Sequence, residues 1–407
     1  MRVLIIAPYY DQLDPGESWS TYKWIAGMAK RFSVTVLSQH GKGWDPSTSP
    51  VDAEKLVNWT EPEIPGVGGR LAWELKPGYF FFYRRAKQWI ESQSPDSFAL
   101  IHQISPLGLR YPCPARCSSI PYIVGPLAGS LQTPASLSSS TPEKHWFRKL
   151  RKFDSLRFRY DPWLRTSYHR AAVVLGVAPY VEELLRPCRI RRFCLFSETG
   201  VDEVSDVVKE NRSSKSPLKL LFAGRLIATK GIREAIECVK LASKSHSVSL
   251  DVLGTGDLES DCKDLVRALN LDDIVTFHGH VPRSAVTDWY RKSDAFLFPS
   301  YREPSGNVVF EAMSHGLPVV TSSIGGPNFV VDSASGFRIE PKDRMAYITG
   351  LANALVKLAE TPGLLSSMSQ GAINRIRTLA WWPSQHDRMA ELYGEVVHAA
   401  ACARRRK

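Results

Sequence analysis

The sequence lacks any long hydrophobic run, which predicts a protein without a membrane-spanning helix. Nowhere in its 407 residues is there a stretch of the roughly 18 apolar residues that such a helix requires. The apolar run in the opening MRVLIIAPYY is too short for the core of a secretory signal peptide, and we interpret Val3–Ala7 as a first buried strand. We therefore expect a cytoplasmic protein.

Paired cysteines are missing as well. The seven cysteines form no Cys-x-x-Cys motif, and their odd number predicts reduced thiols in a cytosolic setting. The pairs Cys113/Cys117 and His278/His280 lack a second pair at the spacing of a zinc site. We interpret both pairs as structural and predict no bound metal.

The composition is that of an ordinary globular chain, with 43% apolar and 23% charged residues and a length typical of two or three domains. Short β-branched runs alternate with stretches long enough for helices, which is the pattern of a parallel sheet. We predict two doubly wound α/β domains at residues 1–203 and 217–380, joined by a polar linker at residues 204–216. The predicted strands are Val3–Ala7, Val34–Leu37, Leu100–His102, Tyr122–Val124, Val173–Leu175, Leu218–Ala223, Ser249–Leu253, Val275–His278, Ala295–Phe298 and Val319–Thr321.

The residues from Trp381 onward predict a final amphipathic helix. Ser384 with Asp387 three residues later forms a helix-capping arrangement. A helix that follows a completed sheet must bury its apolar stripe, so we assign residues 381–407 to the surface of the N-terminal domain. The residues of this stripe are Met389, Leu392 and Val396.

The formal net charge of +11 predicts an anionic partner. Much of the excess lies in residues 144–170, which carry nine Lys or Arg against two Asp, with aromatic residues interleaved. This mixture suits an anionic lipid surface; the alternative is a solvated helical face whose aromatic rings pack inward. The sequence leaves both interpretations open. A nucleic-acid partner would rest on charge alone, and we predict none.

Candidate ligand-binding residues follow two strands of the second domain. In open α/β sheets ligands bind outside the carboxyl ends of the strands. Arg225 and Lys230 come after one strand, beside Gly224, and two cations at a strand end suit a diphosphate. After another strand, a loop containing Glu303 leads into a short apolar helix that contains Glu311.

This helix is predicted to begin at Ser305, acting as the N-cap. The first amides of the helix, at Gly306, Asn307 and Val308, would then be unpaired donors at the positive end of the helix dipole, where a phosphate can approach. The two carboxylates flank this position. A nucleotide-sugar needs such an arrangement, with ribose hydroxyls on one side of its diphosphate and sugar hydroxyls on the other.

Several motifs resemble those of the family 4 glycosyltransferases, which have the GT-B fold. They are GRL with a following KG, REPSGNVVFE, EAMSHGLPVV and TGVD, and the resemblance is strongest over residues 218–340. LIHQISP and PYIVGPLAGS are similar to acceptor-domain elements of transferases that build bacterial surface polysaccharides. The resemblance implies two Rossmann-like parallel-sheet domains facing each other across a cleft, with the C-terminal helix crossing back to the N-terminal domain. It also implies sugar transfer with retention at the anomeric carbon.

The same resemblance implies a role for each candidate residue. Glu311 would bind the ribose, Glu303 the donor sugar, and Arg225 with Lys230 the diphosphate. His102, at the end of its strand, would lie beside the reacting sugar carbon as a second catalytic candidate with Glu303. The first loop of such enzymes often carries paired glycines, whereas this chain has Gly16 followed by a glutamate, and we retain Gly16 as a candidate donor contact.

No Asp-x-Asp motif occurs in the chain, so the usual carboxylate pair for a divalent metal on the diphosphate is missing. Fixed cations must then neutralise the leaving group, and we predict metal-independent transfer without a cofactor. The resemblance favours a UDP-sugar over a GDP-sugar as donor. We expect a lipid-linked or membrane-proximal saccharide as acceptor and a location on the inner face of the membrane. The alternative is a GT-B protein that binds a nucleotide or glycan without turnover.

Overall fold

The computed structural model describes residues 1–14, 16–63, 76, 78–134, 136–137, 154–210 and 216–405. Within these residues the chain forms two compact units. The first contains residues up to 130, residues 154–199 and residues 382–405; the second contains residues 131–134, 136–137, 200–210 and 216–381.

The first unit is built on a seven-stranded parallel sheet. Its strands are β1 (Arg2–Ile6), β2 (Ser33–His40), β3 (Lys55–Thr60), β4 (Leu100–Gln103), β5 (Tyr122–Leu127), β6 (Val173–Gly176) and β7 (Phe193–Leu195), in the spatial order β3-β2-β1-β4-β5-β6-β7. The inner strands carry near-continuous apolar runs because helices cover both faces of a parallel sheet. The described helices of this unit are α1 (Glu17–Ala29), α2 (Tyr79–Glu91), α3 (Asp154–Tyr160), α4 (Pro162–His169), α5 (Tyr180–Leu185) and the C-terminal helix (Trp382–Arg405).

The second unit is built on a six-stranded parallel sheet. Its strands are β8 (Leu218–Ala223), β9 (Val248–Leu253), β10 (Val275–Gly279), β11 (Ala295–Phe298), β12 (Val319–Ser322) and β13 (Gly336–Ile339), in the spatial order β10-β9-β8-β11-β12-β13. Its described helices are α6 (Ile232–Ala242), α7 (Glu259–Ala268), α8 (Arg283–Lys292), α9 (Asn307–Ser314), α10 (Gly325–Val330), α11 (Arg344–Glu360) and α12 (Leu364–Leu379). The central strands β8 and β11 are neighbours, so the loops that leave their carboxyl ends lie side by side.

The C-terminal helix, α13 (Trp382–Arg405), packs against the first unit, as predicted for its apolar stripe. Its buried face includes the three predicted stripe residues, and its first turn approaches α1 so closely that a Cβ added at Gly27 would lie 2.2 Å from the ring of His386. The helix begins at Trp382 rather than at the predicted Ser384 cap. In its first turn the side-chain amide of Gln385 donates to the Thr199 carbonyl at 2.8 Å, which ties the start of the helix to the first unit.

Residues 204–210, predicted as the start of the linker, pack onto the second unit. The amide of Ser205 donates to the Ser314 carbonyl at 2.7 Å, and the Lys209 ammonium donates to the Tyr290 carbonyl at 2.9 Å. The rest of the predicted linker at 211–215 lies outside the described residues, as does 144–153 of the basic aromatic segment.

The prediction of two parallel-sheet α/β domains is confirmed. All ten predicted strands are present, and the structure adds β3, β7 and β13. In the described part of the chain, no helix has the length and apolar character needed to cross a membrane.

Candidate functional site

The candidate residues of the second unit lie in the two neighbouring loops that follow β8 and β11. The hydroxyl of Ser300 donates to the Thr229 carbonyl at 3.0 Å, and the amide of Tyr301 donates to the same oxygen at 3.2 Å. Gly231 allows this approach, because a Cβ at this position would lie 2.1 Å from the Pro299 carbonyl oxygen. Two hydrogen bonds to the Thr229 carbonyl therefore tie the two loops together.

Lys230 and Glu303, one from each of the two loops, form an ion pair in which the ammonium binds one carboxylate oxygen. The side chains are only 17% and 14% exposed, and the ammonium also lies 5.4 Å from the centre of the Phe298 ring. Sequence reasoning assigned the two residues to different parts of a ligand. In the structure each side chain neutralises the charge of the other. A ligand that binds one of them must therefore leave the other with a new hydrogen-bond or ionic partner.

Arg225 follows β8 directly and is exposed. Among the described residues its side chain has no hydrogen-bond or ion-pair partner. A guanidinium offers five donors in a fixed planar arrangement that matches phosphate oxygens. Arg225 is therefore a cation available for an anionic ligand, in the same loop as Lys230.

The helix that follows the second loop begins at Asn307, so the predicted N-cap at Ser305 is wrong. Gly306 occupies the N-cap position with φ 89°, a left-handed conformation that glycine adopts readily. Ser305 is buried, and Gly326 approaches it so closely that a Cβ there would lie 2.3 Å from the Ser305 carbonyl oxygen. Ser305 thus lies in the turn before the helix and does not cap it.

The start of α9 carries free backbone donors. No side chain caps the helix, and the amides of Gly306, Asn307 and Val308 have no acceptor among the described residues. The side-chain oxygen of Asn307 is also buried without a partner. Unpaired amides at the positive end of a helix dipole attract anions, so this end of the helix suits a phosphate.

Glu311 lies one turn further along α9, and its side chain is 36% exposed. One carboxylate oxygen accepts a hydrogen bond from the Tyr290 hydroxyl at 3.2 Å, and the other lies 3.6 Å from the Arg283 guanidinium. Burial raises the pKa of the Glu311 carboxyl, and Arg283 and Tyr290 oppose this rise. Sequence reasoning missed Arg283; its position directly after the β10 loop, as the first residue of α8, was the available signal.

His102 lies in the first unit, inside the sheet, and is fully buried. Its Nε2 is 2.7 Å from the Gly125 carbonyl oxygen and its Nδ1 is 2.6 Å from the Tyr393 hydroxyl. Because a carbonyl can only accept, Nε2 carries the proton and Nδ1 accepts from the tyrosine. Burial lowers the pKa of His102 to about 4. A neutral ring with both nitrogen atoms occupied does not fit the predicted contact with a reacting sugar, and the geometry indicates a structural role.

This burial predicts an acid-sensitive first unit. Burial lowers the pKa values of both His102 and His386 to about 4, whereas an unfolded histidine titrates near 6.5. Between these pH values the unfolded chain binds more protons, so stability falls as the pH falls. We expect a loss of about 2 kcal/mol per histidine at about pH 5 in urea unfolding. His102→Gln should make the pH dependence shallower; an unchanged dependence would contradict this explanation.

Gly16, the remaining candidate, is the N-cap of α1 in the first unit. It has φ 103°, and no atom of the described residues lies within 4 Å of a Cβ added there. The carboxylate of the neighbouring Glu17 already has partners. It accepts a hydrogen bond from the Leu107 amide at 2.9 Å and forms an ion pair with Lys76 at 2.5 Å. Sequence reasoning did not identify this arrangement because its members are far apart along the chain.

No group of three or more His, Cys, Asp or Glu side chains that could hold a metal ion occurs within the described ranges.

Residues 205–374 match the family model described as glycosyl transferases group 1. A glycogen synthase of Mycobacterium tuberculosis is 28% identical over 196 residues, which are 48% of this chain and 46% of that protein. The chain thus spans about half the length of this curated relative.

Solved structures extend the likeness to the whole chain. Sucrose-phosphate synthase from Thermosynechococcus elongatus matches with a TM-score of 0.63 and 18% identity, covering 98% of this chain and 99% of that one. The HepE protein of Anabaena, in complex with UDP and glucose, matches with a TM-score of 0.60 and 16% identity, covering 97% and 100%. At such identities the likeness shows the fold, which is the predicted GT-B fold.

Proposed function

We propose that this chain, a glycosyltransferase of the GT-B fold with a group 1 glycosyltransferase region at residues 205–374, transfers a sugar from a nucleotide-sugar to a saccharide acceptor. A UDP-sugar is the favoured donor, since the HepE structure of similar fold was solved with UDP and glucose. A GDP-sugar is the alternative donor. The observation that carries the proposal is a set of free donors in two neighbouring loops. They are the unpaired amides at the start of α9 and, in the loop after β8, the guanidinium of Arg225, which has no partner among the described residues.

The diphosphate of the donor is proposed to bind this set of groups. The helix end contributes roughly 0.3–2 kcal/mol, whereas a charge-assisted hydrogen bond contributes about 1.5–3 kcal/mol. Arg225 and Lys230 should therefore determine most of the affinity, and the amides of Asn307 and Val308 should determine the position of the phosphates. Asn307 additionally offers its buried, unpaired side-chain oxygen to a hydroxyl of the donor.

Donor binding is proposed to exchange the partners of Lys230 and Glu303. When Lys230 turns to the diphosphate, the Glu303 carboxylate loses its cation and needs new donors. Sugar hydroxyls can supply them. Glu311, held on one oxygen by the Tyr290 hydroxyl, is proposed to accept from the ribose hydroxyls with the other oxygen.

The proposed reaction retains the configuration at the anomeric carbon. The bond from this carbon to the diphosphate oxygen breaks, and the acceptor hydroxyl oxygen bonds to the carbon on the same face. The proton of that hydroxyl passes to the departing diphosphate oxygen. The fixed cations Arg225 and Lys230 stabilise the negative charge that develops on the leaving group, so no metal is needed. His102 takes no part, since it is buried and hydrogen-bonded on both sides.

The acceptor is proposed to be a lipid-linked or otherwise membrane-proximal saccharide that binds to the first unit. The alternative proposal is a GT-B protein that binds a nucleotide or glycan without turnover. Release of nucleotide that depends on an acceptor separates the two, because a binding protein would hold the donor and leave it intact.

The test is a thermal-shift and calorimetric screen of the full chain against UDP, GDP, CMP and their common sugar conjugates, with and without EDTA. We expect one nucleotide to stabilise the protein regardless of EDTA, by about 3 kcal/mol at a hundredfold excess over its Kd. Arg225→Ala combined with Glu311→Ala should abolish the effect. Arg267→Ala, which removes another exposed arginine, from α7, is the control and should leave the effect unchanged. Absence of a response to every nucleotide would contradict the proposal.

A further inference from the structure

Three helices of the first unit expose a group of large aromatic and aliphatic side chains. Ten large hydrophobic side chains are exposed in the described part of the chain, and five of them lie on three helices of this unit. We call these five side chains the aromatic face: Phe80 (50% exposed), Phe81 (42%), Leu156 (51%), Tyr160 (67%) and Trp163 (44%). Scattered exposed hydrophobic residues are normal in soluble proteins, whereas a cluster of this kind marks an interaction surface.

A ring contact joins α2 to α4 within the aromatic face. Tyr83, on the same side of α2 as Phe80 at a spacing of three residues, stacks on the ring of Trp163 at the start of α4, with 5.7 Å between ring centres. Leu156 and Tyr160 are four residues apart on α3 and therefore share one side of it.

Two arginines lie close to rings of the aromatic face. The guanidinium of Arg116 lies 5.2 Å from the centre of the Trp163 ring and donates to the Tyr83 hydroxyl at 2.7 Å. Arg159 lies 5.7 Å from the centre of the Tyr160 ring. Arg84, one turn after Phe80 on the exposed side of α2, has no anionic partner within the described ranges, and neither does Arg159.

The acidic side chains of the same helices are all neutralised. Glu91 pairs with Lys87 at 3.1 Å, and Asp154 is buried against Arg110 at 2.8 Å. Asp161 caps α4 and pairs with Arg157 at 3.2 Å. The charge that α2, α3 and α4 present to a partner is therefore positive.

From this combination we infer that the aromatic face docks on an anionic lipid bilayer. Aromatic rings with an apolar body and a polar edge, together with arginines, are the side chains that settle at the headgroup level of a membrane. Unpaired arginines complement an anionic headgroup layer, and each contributes about fivefold to binding. The inference deepens the proposed function, on which it rests, because it brings the enzyme to the surface where a lipid-linked acceptor lies.

The experiment is flotation of the full chain with vesicles of phosphatidylcholine, with and without phosphatidylglycerol. We expect binding that requires phosphatidylglycerol and falls as salt rises. Phe80→Ser combined with Phe81→Ser should weaken it about tenfold, given the apolar area removed. Arg84→Gln combined with Arg159→Gln should weaken it about 25-fold, or about fivefold for each arginine. The control is Met345→Ser, which removes a 64% exposed hydrophobic side chain from the second unit and should change nothing.

The outcomes separate this inference from the proposed function. Nucleotide binding measured on the same samples should be unchanged in the aromatic-face variants, which also shows that they are folded. A wild-type protein that binds the nucleotide but not the anionic vesicles overturns the docking inference alone. A protein that binds vesicles but no nucleotide overturns the proposed function and leaves the docking surface intact. A wild-type protein that self-associates and does not bind vesicles would overturn the docking inference. If the Phe80/Phe81 variant abolished that self-association, the aromatic face would be a protein interface.

Discussion

Lys230→Met should reduce the rate of sugar transfer about a hundredfold to a thousandfold. The proposed mechanism uses Lys230 as a fixed cation on the leaving diphosphate, and removing one such electrostatic contact typically costs this much. Methionine keeps an unbranched apolar side chain beside the Phe298 ring, over which the Lys230 ammonium lies, so the surrounding packing should persist. The measurement is nucleotide release with the donor found in the binding screen, together with the Kd of the same donor by calorimetry.

The partner of Lys230 provides the control. Lys230→Met alone leaves the partly buried carboxylate of Glu303 without its cation, which by itself destabilises the loop. Lys230→Met combined with Glu303→Gln removes both charges, so thermal stability should recover while transfer stays low. If transfer recovers together with stability, the lysine serves only to neutralise Glu303, and its proposed role in catalysis is wrong.

Gly231→Ala should destabilise the second unit by about 2–5 kcal/mol and abolish donor binding. Gly231 has φ 74°, which costs an L-residue about 1–2 kcal/mol, and a Cβ there would lie 2.1 Å from the Pro299 carbonyl oxygen. Relief of this overlap requires the loop after β11 to move away from the loop after β8, at a further cost of about 1–3 kcal/mol. This movement separates Lys230 from Glu303. Chemical unfolding and calorimetry with the donor measure the two effects.

Gly363→Ala is the matched control. Gly363 is also the N-cap of a helix and has φ 79°, but no atom of the part of the chain that the structure describes lies within 4 Å of a Cβ added there. The backbone conformation alone should then cost about 1–2 kcal/mol, with donor binding unchanged. Equal destabilisation by the two substitutions would mean that the contact with Pro299 contributes nothing.

The fold was largely predictable because the inner strands of a parallel sheet have apolar side chains on both faces. β8 and β11, for example, have the bounds that their apolar runs predict. The three strands that sequence reasoning missed, β3, β7 and β13, all lie at the edge of a sheet. An edge strand has fewer covering neighbours, and β3 with the sequence KLVNWT contains no fully buried residue. Its pairing depends on the neighbouring strand, which sequence periodicity does not reveal.

The candidate site was predictable in part. Strand-end position alone indicated Arg225 and Lys230, and the apolar helix with a preceding glycine indicated the free amides. The pairing of Lys230 with Glu303 was not predictable, because 73 residues separate them and only the adjacency of β8 and β11 brings their loops together. The cap at Ser305 was predicted from side-chain type, whereas the close approach of Gly326 decided the local conformation.

The sequence also did not reveal which groups surround His102. Its position at a strand end, in the LIHQISP motif, predicted a residue near the ligand. Sequence gives the order of side chains along a strand, but it does not give the groups that cover them. The Tyr393 hydroxyl that occupies Nδ1 comes from the C-terminal helix, 291 residues away. Sequence by itself determined the two parallel sheets and the residue types of the site, because apolar periodicity and strand-end position are local. Tertiary structure alone decided which polar groups are already paired, because partners at long sequence separation are set by strand order and helix packing.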